Sequence, residues 1–228
     1  MCKEVQKQFD PIQEHDACGI GAVVNIDGRR EHCIVDQALS IVERLEHRAG
    51  KDASGKVGDG VGILLQISHR FFKEVMRKQG VLLPDQGEYG IAMLFLPQSL
   101  LARRKAEQLF ETISVHEGGT VLGWRDVACH SEILGESARA CMPTIRQCFI
   151  ARPKHVQTGL AFEQMLYVIR RQFEKSCPNT YVASLSSKTI VYKGMFLVDQ
   201  LRAFYDDLQD ERYESALAMV HSRFSTNT

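Results

Sequence analysis

The feature that most constrains the fold is a pair of β-favouring runs at residues 181–186 and 189–196, only two residues apart. Val182, Leu185, Ile190, Val191 and Tyr192 supply their apolar and aromatic content, and Ser187-Lys188 stands at the bend. This spacing predicts a β-hairpin. A hairpin argues against a purely parallel sheet, because parallel neighbours need a long crossover between them. Sheets with helix layers outside fit better.

The rest of the chain supplies both kinds of element. Residues 19–26 are apolar and β-favouring (Ile20, Val23, Val24, Ile26), and Asp27-Gly28 is a turn signal. Over residues 32–47 the apolar positions Ile34, Val35, Ala38, Ile41, Val42 and Leu45 recur at helical spacing, with Asp36, Glu43 and Glu46 for the wet face. Residues 61–67 read as a buried strand, and Ser68 is placed to cap a helix running to Gln79. Strands are expected at 90–96, 121–127, 148–151 and 215–221, and helices at 98–116, 162–175 and 197–208. Residues 128–147 are ambiguous beyond a short helix before Pro143. No repeat, low-complexity tract or linker divides the 228 residues, which suffice for one core without staples.

Lys plus Arg and Asp plus Glu both number 28, and no basic stripe argues for nucleic acid or a membrane surface. Seven cysteines at positions 2, 18, 33, 129, 141, 148 and 177 form no CxxC pair or Cys/His ligand spacing, which argues against zinc. Their odd, scattered set fits reduced thiols in a cytoplasmic protein. Residues 1–17 carry Lys3, Glu4, Lys7, Asp10 and Glu14 and no apolar run, unlike a secretory signal peptide. No stretch approaches a transmembrane length.

Three stretches carry candidate chemistry. Cys18, in Glu14-His15-Asp16-Ala17-Cys18-Gly19-Ile20-Gly21, sits where a strand begins. Cleavage before it would put a thiol and a free α-amine, a nucleophile and a base, on one residue. The plainer alternative is a buried cysteine at a strand edge. Residues 48–60 contain four glycines but lack the Gly-Lys-Ser/Thr of a phosphate-binding P-loop. They are either a long surface loop or a backbone packed close to a ligand or strand. The third stretch is His221-Ser222-Arg223-Phe224-Ser225-Thr226-Asn227-Thr228. Its arginine offers a planar fork for a carboxylate, and its hydroxyl and amide groups add hydrogen bonds. The alternative there is an exposed strand end with a solvated arginine.

Taken together, these stretches resemble the class II glutamine amidotransferases. His15-Asp16-Ala17-Cys18-Gly19-Ile20-Gly21 is similar to their cleavage site and nucleophile strand. His47-Arg48-Ala49-Gly50 with Gly58-Asp59-Gly60-Val61-Gly62 is similar to the loop near that cysteine, and residues 221–228 to the glutamine-binding segment. Leu122-Gly123-Trp124-Arg125, residues 184–194 and the 205 positions between Cys18 and Arg223 (223 minus 18) are similar to the large-subunit branch of glutamate synthases.

The resemblance implies an α+β, four-layer αββα N-terminal-nucleophile hydrolase fold, incomplete at the C-terminus. It implies that residues 1–17 are a propeptide removed on maturation, and that 18–228 are the N-terminal part of the amidotransferase domain. Cys18 would be the catalytic nucleophile on L-glutamine. Arg223, Phe224, Thr226 and Asn227 would bind substrate, and Arg48 and Gly50 would support the nucleophile. The resemblance also implies ammonia delivery to synthase domains outside this chain, with FMN and an iron–sulfur cluster there and no cofactor here, and a small subunit or ferredoxin as partner. The family has glycine where Ala49 stands, and its oxyanion Asn-Gly pair and an amino-group aspartate would lie past Thr228. The fragment itself is therefore expected to be nearly inactive, since one missing oxyanion donor costs about 100- to 1,000-fold. Another class II amidotransferase, or a non-catalytic module of the same fold, is the alternative.

Overall fold

A computed structural model describes residues 19–46, 58, 60–195 and 197–222. Among these residues, eight strands form two four-stranded sheets, every neighbouring pair antiparallel. The first contains β1 (Ile20–Val24), β2 (Val61–Gln66), β7 (Thr189–Gly194) and β8 (Leu217–His221), in the order β1-β8-β2-β7. The second contains β3 (Tyr89–Leu96), β4 (Thr120–Asp126), β5 (Thr144–Ala151) and β6 (Tyr181–Ser186), in the order β4-β5-β3-β6.

The alternation of β3 fixes the layering. Ile91 and Met93 enter a core shared with Ile63, Leu65, Ile190 and Tyr192 of the first sheet. Ala92, Leu94 and Leu96 point the other way, into a second core with α3 (Leu100–His116) and α5 (Leu160–Ser176). In the first sheet, α1 (His32–Arg44) buries Val35, Ala38, Leu39 and Val42 against the face carrying Gly21 and Val220. Arg202 of α6 (Gln200–Phe204) fastens α1 through Asp36 at 2.6 Å and Glu43 at 2.9 Å. The opposite face shows Ile20, Val24 and Met219 to solvent. The result is the layered α+β arrangement of two antiparallel sheets that the resemblance implies.

Several local expectations hold for the reasons given. The Ser68 hydroxyl accepts the Phe71 amide and caps α2 (His69–Lys78). Burial of Phe71, Phe72 and Met76 then follows from the apolar face of that helix.

Three expectations are corrected. β6 and β7 are not a hairpin: β6 pairs with β3 and β7 with β2, so Ser187-Lys188 is a corner between the two sheets. Serine hydroxyls take the amides that a hairpin ladder would have paired. Ser186 Oγ accepts from the amides of Lys188 (2.9 Å) and Thr189 (3.2 Å), and Ser184 Oγ accepts from Val191 (3.1 Å). Glu163 of α5 accepts from the Ser187 amide at 2.7 Å and hydroxyl at 2.6 Å. Second, residues 197–208 are not one helix. α6 ends at Phe204, Tyr205 turns extended to bridge Cys129, and a single 3-10 turn follows at Asp206–Leu208. Third, β5 begins at Thr144 rather than at Cys148, after the short helix α4 (Glu136–Ala140).

Candidate active site

β1 and β2 begin, and β7 and β8 end, at one edge of the first sheet. The register makes this explicit. Ile20 opposes His221, His221 opposes Gly62, and Gly62 opposes Lys193, so one row crosses all four strands. One residue further out, the Ser222 amide donates to the Gly19 carbonyl at 2.9 Å. Gly19 is bonded to Cys18 and Ser222 to Arg223. Two stretches 205 positions apart thus arrive side by side because their strands pair (223 minus 18).

Cys18, Arg48, Gly50, Arg223, Phe224, Thr226 and Asn227 themselves lie outside the described residues. What the structure gives is the frame that leads to them. The segment carrying Arg48 and Gly50 enters β2 through Val61 and Gly62 at this same edge.

The glycines of this edge are there for close packing. A Cβ on Gly19 would lie 2.1 Å from Ser222 Oγ, and one on Gly21 would lie 2.5 Å from Ile41 Cγ2. A Cβ on Gly62 would lie 2.5 Å from His221 Nε2 and 2.9 Å from Lys193 Cβ. Gly19, Gly21 and Gly62 therefore let side chains cross the strands. The glycine-rich segment 48–60, apart from residues 58 and 60, lies outside the described residues.

Behind the edge, a polar network fixes β7 between the sheets. Arg125 of β4 donates to Asp207 at 2.7 and 2.5 Å and to Gln147 at 2.8 Å, and Tyr192 donates to Asp207 at 2.8 Å. Tyr205 donates to the Lys193 carbonyl at 2.8 Å, one residue from the end of β7. Burial, then the Asp207 charge, pushes the Tyr192 hydroxyl well above its ordinary range, so it stays a donor.

Three of the described cysteines have thiols held above their ordinary range, which makes them poor nucleophiles. Burial, then Asp207, pushes the Cys129 thiol up to about 12, and burial pushes Cys148 well above its ordinary range. Desolvation and the Glu31 carboxylate raise Cys33 as well. Among the described residues no group of three or more His, Cys, Asp or Glu is placed to hold a metal ion. None of their helices is long and apolar enough to cross a membrane.

Residues 18–228 match the family model for class-II glutamine amidotransferases. The chain belongs to that family. This amidotransferase chain is 42% identical over 229 residues to the glutamate synthase [NADPH] large chain of Bacillus subtilis (strain 168), covering 99% of this chain and 15% of the relative. It is 40% identical to the Azospirillum brasilense glutamate synthase [NADPH] large chain, covering 96% of this chain and 15% of that one. It is 38% identical to ferredoxin-dependent glutamate synthase 2 of Synechocystis sp. (strain ATCC 27184 / PCC 6803 / Kazusa), covering 95% of this chain and 14% of that one. The chain thus spans about 15% of the length of the relatives it matches.

Sequence reasoning quoted Gly62 in the loop near Cys18 but did not pair it with His221 or Lys193, nor single out His221 or Ser222 as parts of this edge. Ser222 and His221 fall inside the quoted C-terminal stretch, but only strand pairing shows which faces they take.

Proposed function

We propose that this chain is the glutaminase portion of a glutamate synthase. Residues 1–17 are removed, and Cys18 becomes the first residue. Its α-amine, with an ordinary pKa of about 7.7–8.0, takes the thiol proton near neutrality. The thiolate attacks the side-chain amide of L-glutamine, ammonia leaves, and water hydrolyses the thioester to glutamate. Arg223 receives the substrate carboxylate through its two-pronged fork. Thr226 and Asn227 line the pocket, and Phe224 packs the arginine in place. Arg48 and Gly50 support the nucleophile strand.

The observation that carries this reading is the Ser222–Gly19 hydrogen bond, which brings the neighbours of Arg223 and Cys18 to one sheet edge. Had β1 and β8 ended at opposite edges, no single amino acid could have bridged the two groups.

The ammonia then serves a synthase site on domains outside this chain, where FMN and an iron–sulfur cluster would supply the redox chemistry. The electron-donating partner is a small subunit or ferredoxin, and the compartment is the cytoplasm; the matching relatives are named as NADPH and as ferredoxin-dependent glutamate synthases.

The test is intact-mass analysis followed by trapping with a glutamine analogue that carries an electrophile in place of its amide. An N-terminus at Cys18, one adduct on that residue and competition by glutamine are expected. A chain that keeps Met1, with Cys18 modified no faster than the exposed Cys33, defeats the reading.

A further inference from the structure

A cavity of about 590 Å³ opens beside the end of β7, among residues of β3, β5, β6, α4 and α6. Its floor is Leu134, Ile145 and Phe204, all buried in the core between the sheets. Phe95 and Tyr181, cross-strand partners on β3 and β6, form one wall with their rings 5.7 Å apart. Ala138 and Met142 form another, and Met195, 63% exposed, stands at the mouth. Open carbon surface of this extent on a folded chain marks a place where something binds, and the volume is that of a small-molecule pocket.

The polar groups of the cavity are few and one-sided. Among the described residues that line it, Lys193 is the one charged side chain, and none carries a carboxylate. The Lys193 ammonium lies 4.4 Å from the centre of the Tyr181 ring and donates to the Tyr181 hydroxyl, so a cation and a hydroxyl sit together on the β6–β7 side. The Cys141 thiol is taken up by the Ser137 carbonyl at 2.9 Å. Glu132 and Glu136 line a neighbouring cavity that shares only Leu134 with this one.

We propose that this cavity is a binding site for an amphipathic monocarboxylate, its hydrocarbon body on the apolar floor and its carboxylate on Lys193 and Tyr181. A neutral apolar ligand would strip water from the ammonium without replacing it, and an organic cation would be repelled. A dianion would meet a single positive charge. Lys193 ends the row that runs through Gly62 and His221 to Ile20, so β1 stands three strand spacings away, about 14 Å. The ligand is recognised whether or not the chain hydrolyses glutamine.

The experiment titrates the full chain with sodium decanoate, below its micelle concentration, by calorimetry and by methionine-methyl NMR. Saturable binding is expected, with the methyls of Met142 and Met195 shifting and that of Met219, on the exposed face of the first sheet, unmoved. Each methylene added from hexanoate to decanoate should tighten binding about fourfold. Decylamine, the same chain with the opposite charge, should bind about tenfold more weakly or worse, and Lys193→Met should weaken decanoate by about the same factor. The decylamine comparison uses the wild-type chain, so it decides the matter even if the variant fails to fold. Absent or unsaturable binding, equal shifts at Met219, or equal affinity for decanoate and decylamine overturns the site, as does decanoate affinity unchanged in Lys193→Met.

Discussion

Arg125 and Asp207 form a two-pronged ion pair between the sheets, with guanidinium-to-carboxylate distances of 2.7 and 2.5 Å and both side chains buried. Asp207 also accepts from Tyr192, and Arg125 lies over the Phe71 ring at 5.5 Å. Removing one partner strands a buried charge, which typically costs about 3–5 kcal/mol. Asp207→Ala is therefore expected to lower unfolding free energy by about that much in urea titrations. Arg125→Met with Asp207→Leu should cost less than either single change, because no charge is left unpaired. Equal, additive losses would show that the pair contributes little.

Gly62→Ala tests the packing at the sheet edge. The added Cβ would lie 2.5 Å from His221 Nε2 and 2.9 Å from Lys193 Cβ, so one of them must shift. Overpacking of this kind costs about 1–3 kcal/mol. The melting temperature should fall, and trapping of Cys18 by the electrophilic glutamine analogue should slow with it. Gly28→Ala, at a turn where nothing lies within 4 Å but φ is +71°, should cost stability and leave trapping unchanged. Equal trapping in both variants would separate the His221 row from the site.

Much of the fold was legible because apolar periodicity and burial coincide. α1, α2, β2, β3 and β8 stand within a few residues of where that periodicity puts them. The misread places share a cause: a polar or aromatic side chain doing tertiary work inside a pattern that reads as local. Gln147 interrupts the apolar run of β5 on paper, yet it is fully buried against Arg125 and Tyr192. Leu201, Phe204 and Leu208 keep helical spacing, but Tyr205 leaves the helix to bridge Cys129 and bond the Lys193 carbonyl. The apparent hairpin fails because Ser184 and Ser186 accept amides through their hydroxyls, which no alternation pattern reveals.

At the site, sequence named the stretches through resemblance and could not show that they meet. That follows only from the β1–β8 register, a contact between positions about two hundred residues apart.

Ser186→Ala tests the corner. It removes the acceptor of two amides, those of Lys188 and Thr189, in a buried position. Leaving such groups unpaired costs about 1–3 kcal/mol. Amide hydrogen exchange at Lys188 and Thr189 should speed up while β2 and β3 stay protected. Unchanged exchange would mean that water or another group satisfies them.

His130 links two segments through its side chain, at 2.8 Å from Glu132 and 2.5 Å from Asp206, and its amide donates to the Phe204 carbonyl. The Glu132 hydrogen bond and then that of Asp206 raise its pKa above the ordinary value. A raised folded-state pKa means that the contribution is full below the unfolded value of about 6.5 and is lost as pH rises through the folded value. The wild-type melting temperature should therefore fall, relative to His130→Gln, as pH climbs from 6 to above the raised pKa. Parallel pH curves for the two proteins would show that the contact carries no linkage.

Arg223 is the last and most direct test of the proposed substrate pocket. A charged hydrogen-bonding partner for a carboxylate is worth about 1.5–3 kcal/mol, or roughly 10- to 150-fold in affinity. Arg223→Ala should raise by that factor the glutamine concentration that halves Cys18 alkylation. Arg223→Lys keeps the charge but loses the planar fork, so it should fall between the two. Because Arg223 follows Ser222, whose amide stays bonded to Gly19, neither change should disturb the β1–β8 pairing, and the melting temperature serves as the control. Protection by glutamine that is indifferent to both substitutions would place the carboxylate elsewhere.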